Sequence, residues 1–170
     1  MNRSTLIPGS AEEEQFIRMV DSHSHLLTGL CTVLLKDYHL AQDVVQETFL
    51  RAWRHGGLTP NQEKPWLIRV AVNLCRDQQR KAWMRRIDRS ITPEELPIPV
   101  TLPDNDVIRE VYRLPQKERE VIVMHFWGNL SAADIAGALR ISRAAVYRRM
   151  ESAKKKLRIE LTEEGESAHD

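Results

Sequence analysis

Apolar residues along this chain recur every three or four positions, and the every-second-residue alternation of a strand is nearly absent. The spacing predicts a helix from about Glu12 to Leu35, a turn at Lys36-Asp37, and a second helix from about His39 to Arg54. Gly56-Gly57 breaks that helix. A third is expected to start at Pro65, a residue suited to the first helical position, and to run to about Trp83. Four prolines then fall within the eleven residues Pro93 to Pro103, removing amide donors and fixing backbone angles against helix or central strand. Beyond them helices are predicted near 104–113, 115–126, 131–139 and 143–159. The expected fold is all-α: two small helical domains, 10–89 and 104–159, joined by a proline-rich linker over 90–103. An acidic tail, 160–170, follows, and its end from Thr162 is expected to fray.

Two helix starts lie eleven residues apart in the second domain. Ser131-Ala132-Ala133-Asp134 reads as a capping box with Asp in place of Glu, and Ser142 can cap the next helix in the same way. Leu130, Ile135, Leu139, Ile141, Val146 and Met150 converge between the two helices, and the small Ala136 lets the axes approach. This is the pattern of a helix-turn-helix. An ordinary helical hairpin accounts for the apolar residues equally well, but not for the outer face. There Arg143, Tyr147, Arg148 and Arg149 lead into Lys154, Lys155, Lys156 and Arg158. Such a helix can set its first turn on base edges and its flanking cations on phosphates.

Two further stripes stand out in the first domain. On the second helix Ala41, Val44, Val45, Thr48, Phe49, Ala52 and Trp53 supply the buried side, leaving Asp43, Gln46, Glu47 and Leu50 at i, i+3, i+4, i+7. Polar residues there suit a solvated face, although an outward Leu50 points to a protein contact. On the third helix Trp66, Leu67, Val70, Ala71, Leu74 and Cys75 form the buried side. Arg69, Asn73, Arg76 and Arg80 then form an outer stripe. An asparagine can hydrogen-bond a base edge with donor and acceptor together. A merely solvated basic stripe fits that spacing as well.

The formal net charge of +1 conceals an alternation along the chain. Residues 11–58 hold four Lys/Arg against seven Asp/Glu, and residues 64–89 hold eight against two. Residues 90–108 carry four acids and no base, residues 109–158 twelve bases against five acids, and five more acids follow from Glu160. Two basic blocks thus flank an acidic spacer, as suits a chain that contacts phosphate backbones at two places. Solvated cationic faces give the same count. Cys31 and Cys75 are distant in sequence and sit in apolar-periodic segments, so buried free thiols are expected rather than a disulfide framework. No run approaches a membrane span and no signal-peptide order is present, so a cytoplasmic protein without membrane contact is expected. His23 and His25 form the one candidate metal pair, but residues at i and i+2 diverge on a helix and no third ligand is suitably spaced. Neither a metal, a cofactor nor an enzymatic activity is expected.

The stretches Asp43-Val44-Val45-Gln46-Glu47-Thr48-Phe49-Leu50-Arg51-Ala52-Trp53 and Trp66-Leu67-Ile68-Arg69-Val70-Ala71-Val72-Asn73 closely resemble region 2 of extracytoplasmic-function sigma factors, members of the sigma-70 family. These are small promoter-recognition subunits of bacterial RNA polymerase. Leu114-Pro115, Arg119-Glu120-Val121, Leu130-Ser131, Asp134-Ile135-Ala136, Leu139, Ile141-Ser142 and Val146 are similar to region 4 of the same family. The resemblance implies that Asp43, Gln46, Glu47 and Leu50 bind the polymerase core. It implies that Arg69, Asn73, Arg76, Arg80 and Lys81 engage the minus-ten element, with the loop from His55 to Lys64 capturing a flipped base. It implies that Ser142, Arg143, Ala144, Tyr147 and Arg148 meet the minus-thirty-five element, with Arg149 on a phosphate. A dedicated anti-sigma factor is implied as a further partner.

Several positions depart from the family pattern. Val72 stands where a basic residue is common, and Asn129 and Arg140 stand where glycine is usual. Ala144-Ala145 replaces a frequent Gly-Thr, and Tyr147-Arg148 a common Lys-Ser. Arg140 at glycine's backbone angles would cost about 1 to 2 kcal/mol, so a slightly altered turn is expected. The fourteen-residue spacer, fully extended, reaches roughly 45 to 50 Å. Added to two domains on the order of 25 Å each, it can bridge promoter elements two DNA turns, about 70 Å, apart. The competing reading is a DNA-binding regulator that never binds polymerase, and the stripe of Asp43, Gln46 and Glu47 discriminates between them.

Overall fold

The computed structural model describes residues 9–89 and 106–167, with side chains over 9–85 and 107–158. The expected linker, 90–103, lies outside the described residues. Seven helices are present and no strand occurs among the described residues. Helix α1 (Ala11–Leu35) starts at Ser10, whose hydroxyl accepts from the Glu13 amide, and ends where Lys36 turns left-handed. Asp37 caps α2 (Tyr38–His55) by accepting from the Leu40 amide at 3.0 Å. Gly56 and Gly57 both take positive φ (64° and 65°), and for Gly56 a ψ of 170° puts the backbone where only glycine sits without strain.

Helix α3 (Pro60–Arg89) starts five residues earlier than the expected Pro65 and runs well past Trp83. The first helical position is taken by Pro60, not Pro65. Thr59 and Gln62 make a reciprocal start: the Thr59 carbonyl accepts from the Gln62 amide and the Gln62 side chain accepts from the Thr59 amide. Pro65 is carried inside the helix, where its missing amide falls opposite the carbonyl of exposed Asn61. The loop expected over His55 to Lys64 is therefore only Gly56 to Thr59, followed by a helical turn.

In the second half α4 (Asp106–Arg113) and α5 (Gln116–Ile122) meet at Leu114-Pro115, and α5 widens into one π-turn at Val123–Trp127. The widening brings the chain so close at Gly128 that a Cβ there would lie 2.5 Å from the Met124 carbonyl oxygen. Helices α6 (Ala132–Leu139) and α7 (Arg143–Ser167) complete the chain. The backbone of α7 continues through the stretch expected to fray from Thr162, with no proline to stop it.

One apolar core runs through both halves. Leu27, Leu30, Leu34, Ala41, Leu67 and Ala71 occupy it between α1, α2 and α3, and Val121, Val123, Ile135, Leu139, Val146 and Met150 between α5, α6 and α7. Cys31 and Cys75 are buried free thiols. They meet between α1 and α3, where a hydrogen bond to Cys31 together with burial pushes the Cys75 thiol pKa upward. Trp53, expected in the core, is over a third exposed and packs edge-on against Phe16 at 4.9 Å. His23 lies 3.3 Å from buried Glu63, forty residues on. Among the described residues no group of three potential metal ligands forms, and no helix is long and apolar enough to cross a membrane.

Arg140 ends α6 at φ 55°, ψ 47°, so the turn keeps its left-handed residue rather than shifting away from it. The carbonyl of Ala136 accepts from both the Arg140 and the Ile141 amides, and that doubled bond holds Arg140 in place. Arg140→Gly is therefore expected to stabilise the fold by about 1 kcal/mol, measured as a shift in the denaturant midpoint at unchanged slope.

Candidate nucleic-acid interface

Three surfaces carry the residues singled out in the sequence. On α2, Asp43, Gln46 and Leu50 are exposed, Leu50 at 43%, and Glu47 is half-buried beside them. The opposite side of the helix is anchored by Val44, Val45, Phe49 and Ala52, and by Thr48, whose buried hydroxyl donates to the Val44 carbonyl at 2.7 Å. Glu47 accepts from Arg51 at 2.9 Å, an exposed ion pair one turn on, while no described ion pair holds Asp43. Leu50 thus stands in water beside two carboxylates and an amide.

On α3, Arg69, Asn73, Arg80 and Lys81 are exposed. Arg80 is tied to its own neighbour Asp77. Arg76 does not join this open stripe. It is half-buried, and its guanidinium makes two parallel hydrogen bonds, both 3.1 Å, to the carboxylate of Glu120 in the second half. His55, at the end of α2, and Trp66, in the second turn of α3, meet at 5.1 Å between ring centroids with their planes tilted by 53°, beside Arg69. They line a cleft of about 590 Å³ whose other wall is Leu130 and α6, including Asp134 and Ala138. Gln15, donating to the Leu58 carbonyl at 2.9 Å, pins the short glycine loop onto α1, and the His23–Glu63 contact pins the first turn of α3 there.

The third surface is the start of α7. Ser131 and Ser142 cap α6 and α7, each accepting from the amide three residues on at 3.1 Å. Ser131 also donates to Asp134, so the acid of this capping box returns to the serine side chain. With Val146, Met150 and Ala153 buried against α6 and α5, Arg143, Ala144, Tyr147 and Arg148 are left exposed, Tyr147 at 57%. Arg149 is half-buried, and its Nη1 is enclosed without a partner among the described residues. Lys156 is held by Glu118 at 2.8 Å, which joins α5 to α7 and withdraws one cation from the free face.

The two halves touch along α3. Ile68 and Val72 are completely buried there, whereas the sequence pattern assigned neither to the buried side. The cover of Ile68 comes in part from the second half: its Cδ1 lies 3.1 Å from where a Cβ on Gly128 would sit. The Tyr112 hydroxyl donates to the Thr32 carbonyl at 3.2 Å, and the Lys36 ammonium lies 5.6 Å over the Tyr112 ring. Burial, then the nearby Arg119 charge, lowers the Lys36 pKa; burial raises that of Tyr112, against the pull of Arg119. Arg119 itself is buried, bonds the Tyr112 and Leu114 carbonyls, and has its own pKa lowered by that burial.

A family model described as Sigma-70 region 2 matches residues 19–85, and one described as Sigma-70, region 4 matches residues 105–157. The chain is similar to the ECF RNA polymerase sigma factor SigL of Mycobacterium tuberculosis, 32% identical and covering 92% of this chain and 94% of the relative. It is also similar to SigW of Bacillus subtilis, 26% identical over 88% of this chain and 90% of the relative. Among solved structures, CnrH in complex with the cytosolic domain of CnrY aligns at a TM-score of 0.63 with 26% identity, covering 89% of this chain and 90% of that one. The sigma factor RpoE in complex with the anti-sigma factor NepR, from Bartonella quintana, aligns at 0.69 with 21% identity over 88% and 96%.

Proposed function

The chain belongs to the extracytoplasmic-function group of the sigma-70 family, and from that premise we propose how its three surfaces divide the work. It is a sigma factor, directing RNA polymerase to specific promoters. In our reading residues 10–89 bind the polymerase core through Asp43, Gln46, Glu47 and Leu50 and open the minus-ten element through the α3 stripe. Residues 104–159 read the minus-thirty-five element in duplex DNA. The observation that supports this division most is the exposed acidic stripe with Leu50 on α2, for which a plain DNA-binding regulator has no use. The chain works here as a specificity subunit, not a catalyst, and acts where the polymerase is, in the cytoplasm. Both solved relatives named above are held by a second protein, and an anti-sigma partner fits this chain as well.

On α3, Asn73 supplies a donor and an acceptor on one exposed side chain. Arg69, Arg80 and Lys81, and Arg76 when Glu120 does not hold it, follow the backbone of the separated strand. The His55 and Trp66 rings take an extruded base, whose unstacking costs a few kcal/mol that its contacts offset. Permanganate reactivity of unpaired thymines tests this. With core and the wild-type chain, thymines at the minus-ten element become reactive; with Asn73→Ala the reactivity falls about tenfold, the value of one base contact, while core retention is unchanged. Equal reactivity with Asn73→Ala would remove Asn73 from strand opening.

A further inference from the structure

A cavity of about 340 Å³ lies between Lys36 at the end of α1, Gln78 and Trp83 on α3, and Gln116 and Arg119 on α5. Its size is at the lower end of ligand sites, which run from about 300 to 1,000 Å³. Two of the side chains that line it are cations, and none is a carboxylate. Lys36 makes no ion pair among the described residues, and its ammonium stands 5.6 Å over the Tyr112 ring. Arg119 is 7% exposed, and a charge is seldom buried that deeply without an acid to match it. Its Nη1 donates to the Tyr112 and Leu114 carbonyls, its Nε is enclosed with no partner, and its Nη2 has none either among the described residues.

The acids nearest in sequence are already engaged. Glu120 is held by Arg76 through two hydrogen bonds and by Gln116, and Asp37 caps α2. Burial lowers the pKa of Arg119, and burial, then the Arg119 charge, lowers that of Lys36. An anion in the cavity would offset both effects, because an opposite charge nearby favours the charged form of each.

Two cations on one small space suit a dianion better than a single carboxylate. A phosphate monoester carries about −1.5 to −2 charges near neutral pH and three acceptor oxygens, and a guanidinium presents it with coplanar donors. Gln78 is half-buried at the same cavity and has no hydrogen-bond partner among the described residues, so its amide is free to donate to a further oxygen. The rest of the lining is apolar, from Leu34, Leu35 and Leu40 on one side to Trp83, 61% exposed, on the other. An indole left in water beside a cavity offers its face to a flat ring.

We propose that this cavity binds a phosphate monoester with a flat apolar body, a nucleoside monophosphate being the simplest case. Lys36 and Arg119 hold the phosphate, Gln78 adds a donor, and Trp83 covers the ring. None of these side chains belongs to the α2 stripe or to the DNA-facing residues of α3 and α7, so the site stands apart from the reading given under Proposed function.

Isothermal titration calorimetry on the full chain, with adenosine monophosphate, inorganic phosphate and adenosine as probes, tests the site. Adenosine monophosphate is expected to bind, inorganic phosphate to bind about fivefold more weakly for want of the ring contact, and adenosine to bind about tenfold more weakly for want of the charge. Lys36→Gln is expected to weaken the nucleotide about tenfold, and Gln78→Glu, which sets a carboxylate where the phosphate would lie, by at least about as much. Trp83→Ala is expected to weaken the nucleotide about fivefold and to leave inorganic phosphate unchanged. Lys117→Gln, the same charge change on an exposed residue of α5 outside the cavity, is expected to change binding less than about twofold. Substituting Arg119 would also strip two carbonyls of their donor, so Lys36 and Gln78 are the positions varied. Thermal midpoints within about 2 °C of wild type keep a lost fold from counting as a lost site. Absence of binding by both nucleotide and phosphate at millimolar concentration, or binding that Lys36→Gln and Gln78→Glu leave unchanged, overturns the proposal. Equal weakening by Lys117→Gln and Lys36→Gln overturns it as well, since net positive charge would then be the cause. Nucleotide binding no tighter than that of inorganic phosphate overturns the flat body.

Discussion

Reversing the charge at Asp43 and Glu47 together, as Asp43→Lys with Glu47→Lys, is expected to abolish retention of the chain by immobilised polymerase core. The loss should exceed a hundredfold in Kd. An exposed ion pair on a free helix is worth less than about 1 kcal/mol, and the Glu47–Arg51 pair is of that kind. In a protein interface the same carboxylates lose water, and breaking a close charge pair there costs about 2 to 5 kcal/mol. Reversal at two positions replaces attraction by repulsion at both. Leu50, left outward at 43% exposure, adds apolar area between them. The side chains touch nothing in the core, so the thermal midpoint should move by less than the change expected from about 0.5 kcal/mol. Undiminished retention would identify the chain as a regulator that works without the core.

The second large effect lies on α7. Arg148→Ala is expected to lower initiation from the preferred promoter by about 10- to 100-fold, the 1 to 3 kcal/mol of a bidentate base contact, and to relax preference at one position. Lys155→Ala, on the flanking turn, should instead weaken all promoters alike and reduce the salt dependence by about one phosphate. The contrast follows from position on the helix. Arg148 is exposed within two turns of the Ser142 cap, next to Tyr147, whereas Lys155 lies two turns further on. A uniform effect of Arg148→Ala across promoters would move it to the backbone.

The helix-turn-helix was readable in the sequence because its determinants are local. Ser131 and Ser142 announce two helix starts, and Leu130, Ile135, Leu139, Val146 and Met150 are all buried between them as their spacing requires. The α2 stripe was readable for the same reason. The start of α3 was not, because two prolines five residues apart each suit a first turn. What decides between them is the reciprocal Thr59–Gln62 bonding and water access at Asn61.

Contacts distant in sequence left the weakest trace. Nothing near His23 points to Glu63, nor does anything near Cys31 point to Cys75. Ile68 and Val72 did leave a signal, since with them α3 is apolar on two sides, and a helix apolar around most of its girth is covered on more than one face. Read as one amphipathic face, that signal is lost, and with it the docking of the second half. Arg140 shows the opposite limit. Its residue type argues against a left-handed turn, but the two amides converging on the Ala136 carbonyl hold it there.

Reconstitution with core polymerase on a randomised promoter library decides whether this chain directs initiation. Transcripts are expected from templates sharing two separated elements about two DNA turns apart, dependent on both core and this chain and lost with the Asp43→Lys, Glu47→Lys variant. Core retained by the chain but initiating at no sequence above background would contradict this expectation.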